Sequence, residues 1–154
     1  IVAQIVKRFQ KEDAVVIYVP DHGEECYEED RGFICRNHSA NIDWPLAHYE
    51  FEIPFWIYCS PKYIRNHRDI YRQIRKAKDK RFMTDALPHL LLYLAGIETP
   101  TYKEEYNILS PKYNDMRPRI LKNSADYDQL RDEHLEKVEK EKSKKEKSKK
   151  GDKK

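Results

Sequence analysis

Ile1, Val2, Ile5, Val6 and Phe9 recur at helical spacing, so the pattern predicts the end of an amphipathic helix over residues 1–10. Lys11-Glu12-Asp13 breaks it as a turn. Residues 14–19, Ala-Val-Val-Ile-Tyr-Val, form an unbroken apolar run of the kind that makes a buried parallel strand, and Pro20 closes it. Residues 21–50 are polar and aromatic with little periodicity, and so long a loop in a compact domain is usually functional or disordered. Residues 53–59 predict a second strand with Pro54 near its start, ended by Ser60-Pro61. Residues 64–77 predict a very basic helix whose inner stripe is Ile70, Tyr71, Ile74 and Ala77. Thr84 is placed to cap a helix over residues 85–95, where Leu87, Leu90, Leu91 and Leu94 share a face and Gly96 is the stop. Residues 98–130 mix Tyr, Pro and short polar runs and predict irregular structure. From about Leu135 the chain repeats Lys-Glu and Ser-Lys-Lys units with almost nothing to bury, and a disordered tail over 135–154 is expected.

Helix, strand, loop, strand, helix, helix is an α/β order. Two strands are too few for a stable parallel sheet, so the expectation is an incomplete sheet in a piece of a longer chain. The first residues, Ile1-Val2-Ala3, already lie inside a helix and agree with that expectation. The 154 residues are 37% charged and 39% hydrophobic, which allows one domain with a modest core over 1–134. Net charge is +3, but residues 136–154 hold ten Lys against five Asp or Glu. That leaves about −2 for the rest, so the folded part is not basic and nucleic acid is not an expected partner. No apolar run approaches the roughly 18 residues of a membrane span. Cys26 and Cys35 flank the long loop and could clip it in an oxidising compartment, or stay as thiols like Cys59.

The chemistry concentrates after the first strand. Asp21-His22 sits at its carboxyl end, the edge where open α/β sheets bind ligands. A carboxylate oxygen beside an imidazole nitrogen suits zinc, and also manganese. The plainer alternative is a turn in which Asp21 accepts local N–H groups and His22 is solvated. Glu24 and Glu25 are close enough in sequence to orient the second nitrogen of His22. His38, in Asn37-His38-Ser39, can return across the loop as a ligand, a phosphate contact or a proton carrier. His48 lies in an aromatic stretch that could line a substrate mouth. His67, His89 and His134 are expected to be surface or structural residues. Arg65, Arg68, Arg72, Arg75, Lys76 and Lys78 make a face that could meet anionic headgroups, or simply a solvated one.

Taken together, these residues resemble a known family. Residues 13–18, Asp-Ala-Val-Val-Ile-Tyr, followed by Asp21-His22-Gly23-Glu24-Glu25, resemble the late metal-binding strand of the alkaline phosphatase/sulfatase superfamily. They are most similar to the lipid A phosphoethanolamine transferases of Gram-negative bacteria. Asn37-His38-Ser39, Glu52-Ile53-Pro54-Phe55-Trp56-Ile57, Phe82-Met83-Thr84-Asp85 and Leu94-Ala95-Gly96-Ile97 agree in order, over roughly residues 1–123. The resemblance implies the C-terminal portion of a sulfatase-like α/β/α sandwich. It implies zinc, with Asp21 and His22 as two ligands and His38 against the transferred phosphate. It implies transfer of phosphoethanolamine from phosphatidylethanolamine, through a Thr in a segment absent here, to a lipid A or glycan acceptor. The catalytic domain would face the periplasm, anchored to the inner membrane by helices also absent here, and the piece alone would be inactive. The chain departs from the family pattern at Pro20 and in Cys35-Arg36-Asn37 before His38. Two alternatives stand beside this reading: a sulfatase or phosphodiesterase of the same superfamily, and a non-catalytic module that binds anionic surfaces.

Overall fold

The computed structural model describes residues 1–28, 34–35 and 41–151, with the backbone alone at 34–35 and 145–151. It is a mixed α/β fold with small sheets, made of two compact units: Ile1–Val19 with Pro54–Arg117, and Pro20–Ile53 with Pro118–Lys154.

The first unit begins with α1 (Val2–Phe9) and β1 (Val15–Tyr18) and resumes with β4 (Trp56–Cys59), α3 (Pro61–Asn66), α4 (Arg68–Ala77) and α5 (Leu87–Ala95). β1 and β4 pair antiparallel, Val15 opposite Cys59 and Tyr18 opposite Trp56. The parallel strand expected from residues 14–19 is corrected here. A short apolar run encodes burial but not strand direction, and each position of β1 is only half-buried. Tyr18 and Trp56 stack across the pair at 5.3 Å.

Ser60, fully buried, joins β4 to α3. Its hydroxyl donates to the Glu12 carbonyl at 2.6 Å and accepts the Tyr63 N–H at 3.1 Å, which caps the helix. The single basic helix expected over 64–77 is two, broken at His67 (φ −125°, ψ 51°). The break brings Asn66 Nδ2 to 2.8 Å and His67 Nε2 to 3.4 Å from the Asp13 carboxylate. Ile70, Ile74 and Ala77 face a core built around Leu90, Ile108 and Leu109. Thr84 opens a 3-10 turn, Thr84–Ala86, and gives α5 no side-chain cap. Gly96 ends α5 as expected. At φ +65° it is left-handed, and the Ile97 N–H reaches back to the Leu92 carbonyl at 2.9 Å. His89 is structural, its Nδ1 accepting the Lys103 N–H at 3.1 Å.

The second unit holds β2 (Glu25–Cys26), β3 (Ile34–Cys35), α2 (Trp44–Phe51), β5 (Ile120–Leu121), β6 (Ala125–Asp126) and α6 (Tyr127–Gly151). The expected featureless loop over 21–50 therefore contains a hairpin and a helix. Asp43 caps α2 by accepting the Leu46 N–H at 3.1 Å, and Pro45 presets its first turn. β5 and β6 form a hairpin turned by two left-handed residues, Lys122 and Asn123. Ala47, Leu121 and Tyr127 are the core, flanked by Ile42, Trp44, Phe51 and Leu130. α6 runs on as helix into the Lys/Glu repeats. Residues 139–144 are exposed there, and pairs such as Glu136–Lys140 (3.1 Å) support the helix where no core does.

Cys26 is an exposed free thiol opposite Ile34 rather than Cys35. Cys59 is free and buried, and burial pushes its pKa up. None of the described helices is long and apolar enough to cross a membrane.

Candidate metal centre

Asp21 and His22 lie just past β1, after Val19 and Pro20, and approach one another. Asp21 Oδ1 accepts the backbone N–H of His22 at 3.1 Å, and Asp21 Oδ2 lies 3.5 Å from His22 Nε2. His22 Nδ1 is 2.8 Å from the Gly23 carbonyl oxygen. A carbonyl only accepts, so Nδ1 carries the proton, and in the neutral ring the Nε2 lone pair faces Asp21. Two ligands each about 2.0–2.2 Å from a tetrahedral zinc stand roughly 3.3–3.6 Å apart. The separation here falls inside that window, and the second ring nitrogen is held by an oxygen, as metal-bound histidines usually are. The pair thus fits two corners of a zinc site. A protonated imidazole would also make an ion pair at this spacing, which is how the plain-turn alternative looks. Among the described residues no group of three His, Cys, Asp or Glu converges on one point.

The contact expected of Glu24 is made by the Gly23 carbonyl, and Glu24 itself is exposed. His38 lies outside the described residues. His48 sits in the last turn of α2, stacked on Trp44 at 5.5 Å, with Nδ1 3.0 Å from Glu52 Oε1. Trp44 also stacks with His134, at 5.2 Å.

Sequence reasoning missed the residues that hold this region. The Tyr127 hydroxyl donates to Glu52 Oε1, linking the start of α6 to the end of α2. Burial, then the Glu52 hydrogen bond and charge, push the Tyr127 phenol up to about 12. Burial alone would raise Glu52. Hydrogen bonds from Tyr127 and His48, with the charges of His48 and Arg119, outweigh it and hold the carboxyl below its ordinary value. The Arg119 guanidinium lies 4.2 Å over the Tyr127 ring and pairs with Asp128 at 2.5 Å. Gly23 stands in the Asp-His-Gly-Glu run, yet nothing in that run signals that its N–H donates to the Glu50 carbonyl at 2.9 Å. No local pattern could have flagged a partner 27 or 75 residues away.

No family model and no curated protein matches the chain. Two solved structures do, both of the C-terminal periplasmic domain of EcEptC from Escherichia coli. The first is 27% identical with a TM-score of 0.64, and the second, a complex with Zn, is 26% identical with a TM-score of 0.61. Each match covers 84% of this chain and 36% of that one, so the chain spans little more than a third of the domain it matches. The chain resembles the C-terminal part of a lipid A phosphoethanolamine transferase-like protein, in fold as in motifs.

Proposed function

We propose that this chain is the C-terminal part, over residues 1–134, of the catalytic domain of a zinc-dependent phosphoethanolamine transferase. The observation that carries the reading is the 3.5 Å approach of Asp21 Oδ2 to His22 Nε2 with Nδ1 already engaged. The likeness to a periplasmic domain also solved with Zn supports it, and makes zinc rather than manganese the ion to try first. Bound there, a zinc ion would polarise a phosphoryl oxygen or acidify a coordinated hydroxyl. The chain's own part is to present two of the ligands, to offer His38 to the transferred phosphate and to place His48 toward the substrate. The donor is phosphatidylethanolamine and the acceptor lipid A or a glycan. The nucleophilic Thr and the remaining ligands come from the portion of the domain that this chain does not span. The whole protein is anchored in the inner membrane with this domain in the periplasm.

Zinc titration followed on the histidine ring resonances tests the reading. Uptake should be weak, saturable and centred on His22, and lost in Asp21→Ala and in His22→Ala. Uptake unaffected by both substitutions refutes it.

A second reading has one observation in its favour. Arg68, Arg72, Arg75 and Lys76 are exposed and fall within about 100° on α4, opposite the buried Ala77 and the half-buried Ile70 and Ile74. Such a stripe suits an anionic surface. That reading requires binding to phosphatidylglycerol vesicles that survives the double replacement of Asp21 and His22 by Ala and is lost when these four cations are removed.

A further inference from the structure

Gly23 occupies a point where no side chain fits. A Cβ there would stand 2.1 Å from the Tyr49 carbonyl oxygen and 3.2 Å from its carbon. Both backbone groups of Gly23 are committed. The N–H donates to the Glu50 carbonyl at 2.9 Å, and the carbonyl accepts His22 Nδ1–H at 2.8 Å. One residue therefore ties the imidazole to the end of α2. The helix can offer this because its last carbonyls have no donor within the helix. Glu50 would look to residue 54 for one, and Pro54 has no N–H to give. The end of α2 is itself fixed. Leu46, Ala47 and Glu50 are buried. The Glu52 N–H closes on the His48 carbonyl at 3.3 Å, and the Glu52 carboxylate takes the Tyr127 hydroxyl.

We propose that Gly23 is a positioning residue for the metal centre, through which the C-terminal turn of α2 aims His22 Nε2 at Asp21. This rests on the Asp21–His22 reading above. The ring cannot leave the Nδ1–H form or swing away without losing the Gly23 carbonyl, and Gly23 cannot move without losing Glu50. The metal pair is thus set by a helix that contributes no ligand of its own.

The test uses the whole chain with zinc alone as the probe, measured by competition with a chromophoric chelator. Ring-nitrogen NMR of His22 and thermal unfolding are run alongside. Gly23→Ala should weaken zinc binding at least tenfold, and the His22 ring should relax from one tautomer to a mixture. A role in folding alone would leave the tautomer of the folded protein unchanged. Glu52→Gln, which loosens the end of α2 without touching the loop, should weaken binding measurably, by less than the roughly tenfold typical of a group bonded directly to a ligand. A Gly23→Ala protein that folds and binds zinc as the parent does overturns the proposal. If that variant does not fold, unchanged binding in Glu52→Gln overturns it instead. A parent chain that takes up no zinc defeats the metal reading itself and this proposal with it, whereas loss confined to Asp21→Ala and His22→Ala defeats the positioning role alone.

Discussion

Replacing Tyr127 by Phe removes one oxygen from the core of the second unit and leaves its packing in place. Tyr127 is 8% exposed, packs with Ala47 and Leu121, and lies under Arg119, none of which needs the hydroxyl. What is lost is a hydrogen bond to a carboxylate. Such bonds contribute about 1.5–3 kcal/mol when both partners are dry. The Glu52 side chain is 40% exposed and keeps His48, so water recovers part of the loss. The expected cost is therefore about 1–1.5 kcal/mol, or roughly 2–6 °C in melting temperature for a chain of this size. Tyr127 is pushed up to about 12 in the folded protein, against about 10 in an unfolded chain. Between those values the folded state keeps a proton that the unfolded state has released. The folded state then binds more protons, so the contribution of Tyr127 to stability falls as pH rises. Phe does not titrate. The stability gap between parent and variant should be full at pH 8–9 and shrink as pH climbs through about 10 to 12.

Denaturant unfolding read on Trp44 fluorescence, in a Trp56→Phe background, measures that gap locally, because Trp44 lies 5.8 Å from Tyr127. Glu52→Gln completes a double-mutant cycle with an expected coupling of about 1 kcal/mol. A gap that stays constant from pH 8 to 11.5, or a coupling within the roughly 0.3 kcal/mol of simple additivity, would show that the hydroxyl is not doing what its position suggests.

Two further outcomes follow from the first unit. Arg117 grips Asp85 with both nitrogens, at 2.5 and 2.6 Å, and this hydrogen bonding holds the Asp85 carboxyl below its ordinary value. Asp85→Asn should therefore cost at most about 1 kcal/mol at neutral pH, since the pair is partly exposed. The difference should vanish as pH falls below the ordinary carboxylate range, a convergence that acid unfolding curves of parent and variant can check. Gly96→Ala, which puts a Cβ on a residue at φ +65° with open space around it, should lower stability by about 1 kcal/mol through backbone strain alone, read as a shift in denaturation midpoint with unchanged slope.

Where a signal was local, the sequence carried it. The spacing of Leu87, Leu90 and Leu94 with Gly96 behind them marked α5, and an apolar run with Pro20 behind it marked β1. Strand direction was not legible, because a short apolar run serves either sense. α2 was hidden for a different reason. Its apolar side chains, Trp44, Leu46, Ala47, Tyr49 and Phe51, are spread around the helix, and its buried face includes the charged Glu50, so no apolar stripe marks it, although Asp43 and Pro45 were valid start signals. The break at His67 faces Asp13, a partner more than fifty residues earlier that no local pattern shows. The approach of Asp21 to His22 was legible because the two are neighbours. Its supports were not, because they come from Tyr49, Glu50, Glu52 and Tyr127.

That difference between donors and supports is itself measurable. An Asp-His dipeptide on a free chain must order a backbone and two side chains before both donors meet one cation, at about 1–2 kcal/mol per residue fixed. In the folded chain the Gly23 N–H bond to Glu50 and the Nδ1 bond to the Gly23 carbonyl have already done this. Binding then forgoes that ordering cost, and about 1.4–2 kcal/mol corresponds to roughly ten- to thirtyfold in affinity. A synthetic peptide of residues 14–28 keeps both ligands and Gly23 but has neither α2 nor Tyr127. It should bind zinc at least tenfold more weakly than the whole chain under the same chelator competition. Equal affinities would mean that the two donors find one another without help, and that α2 is packing and nothing more.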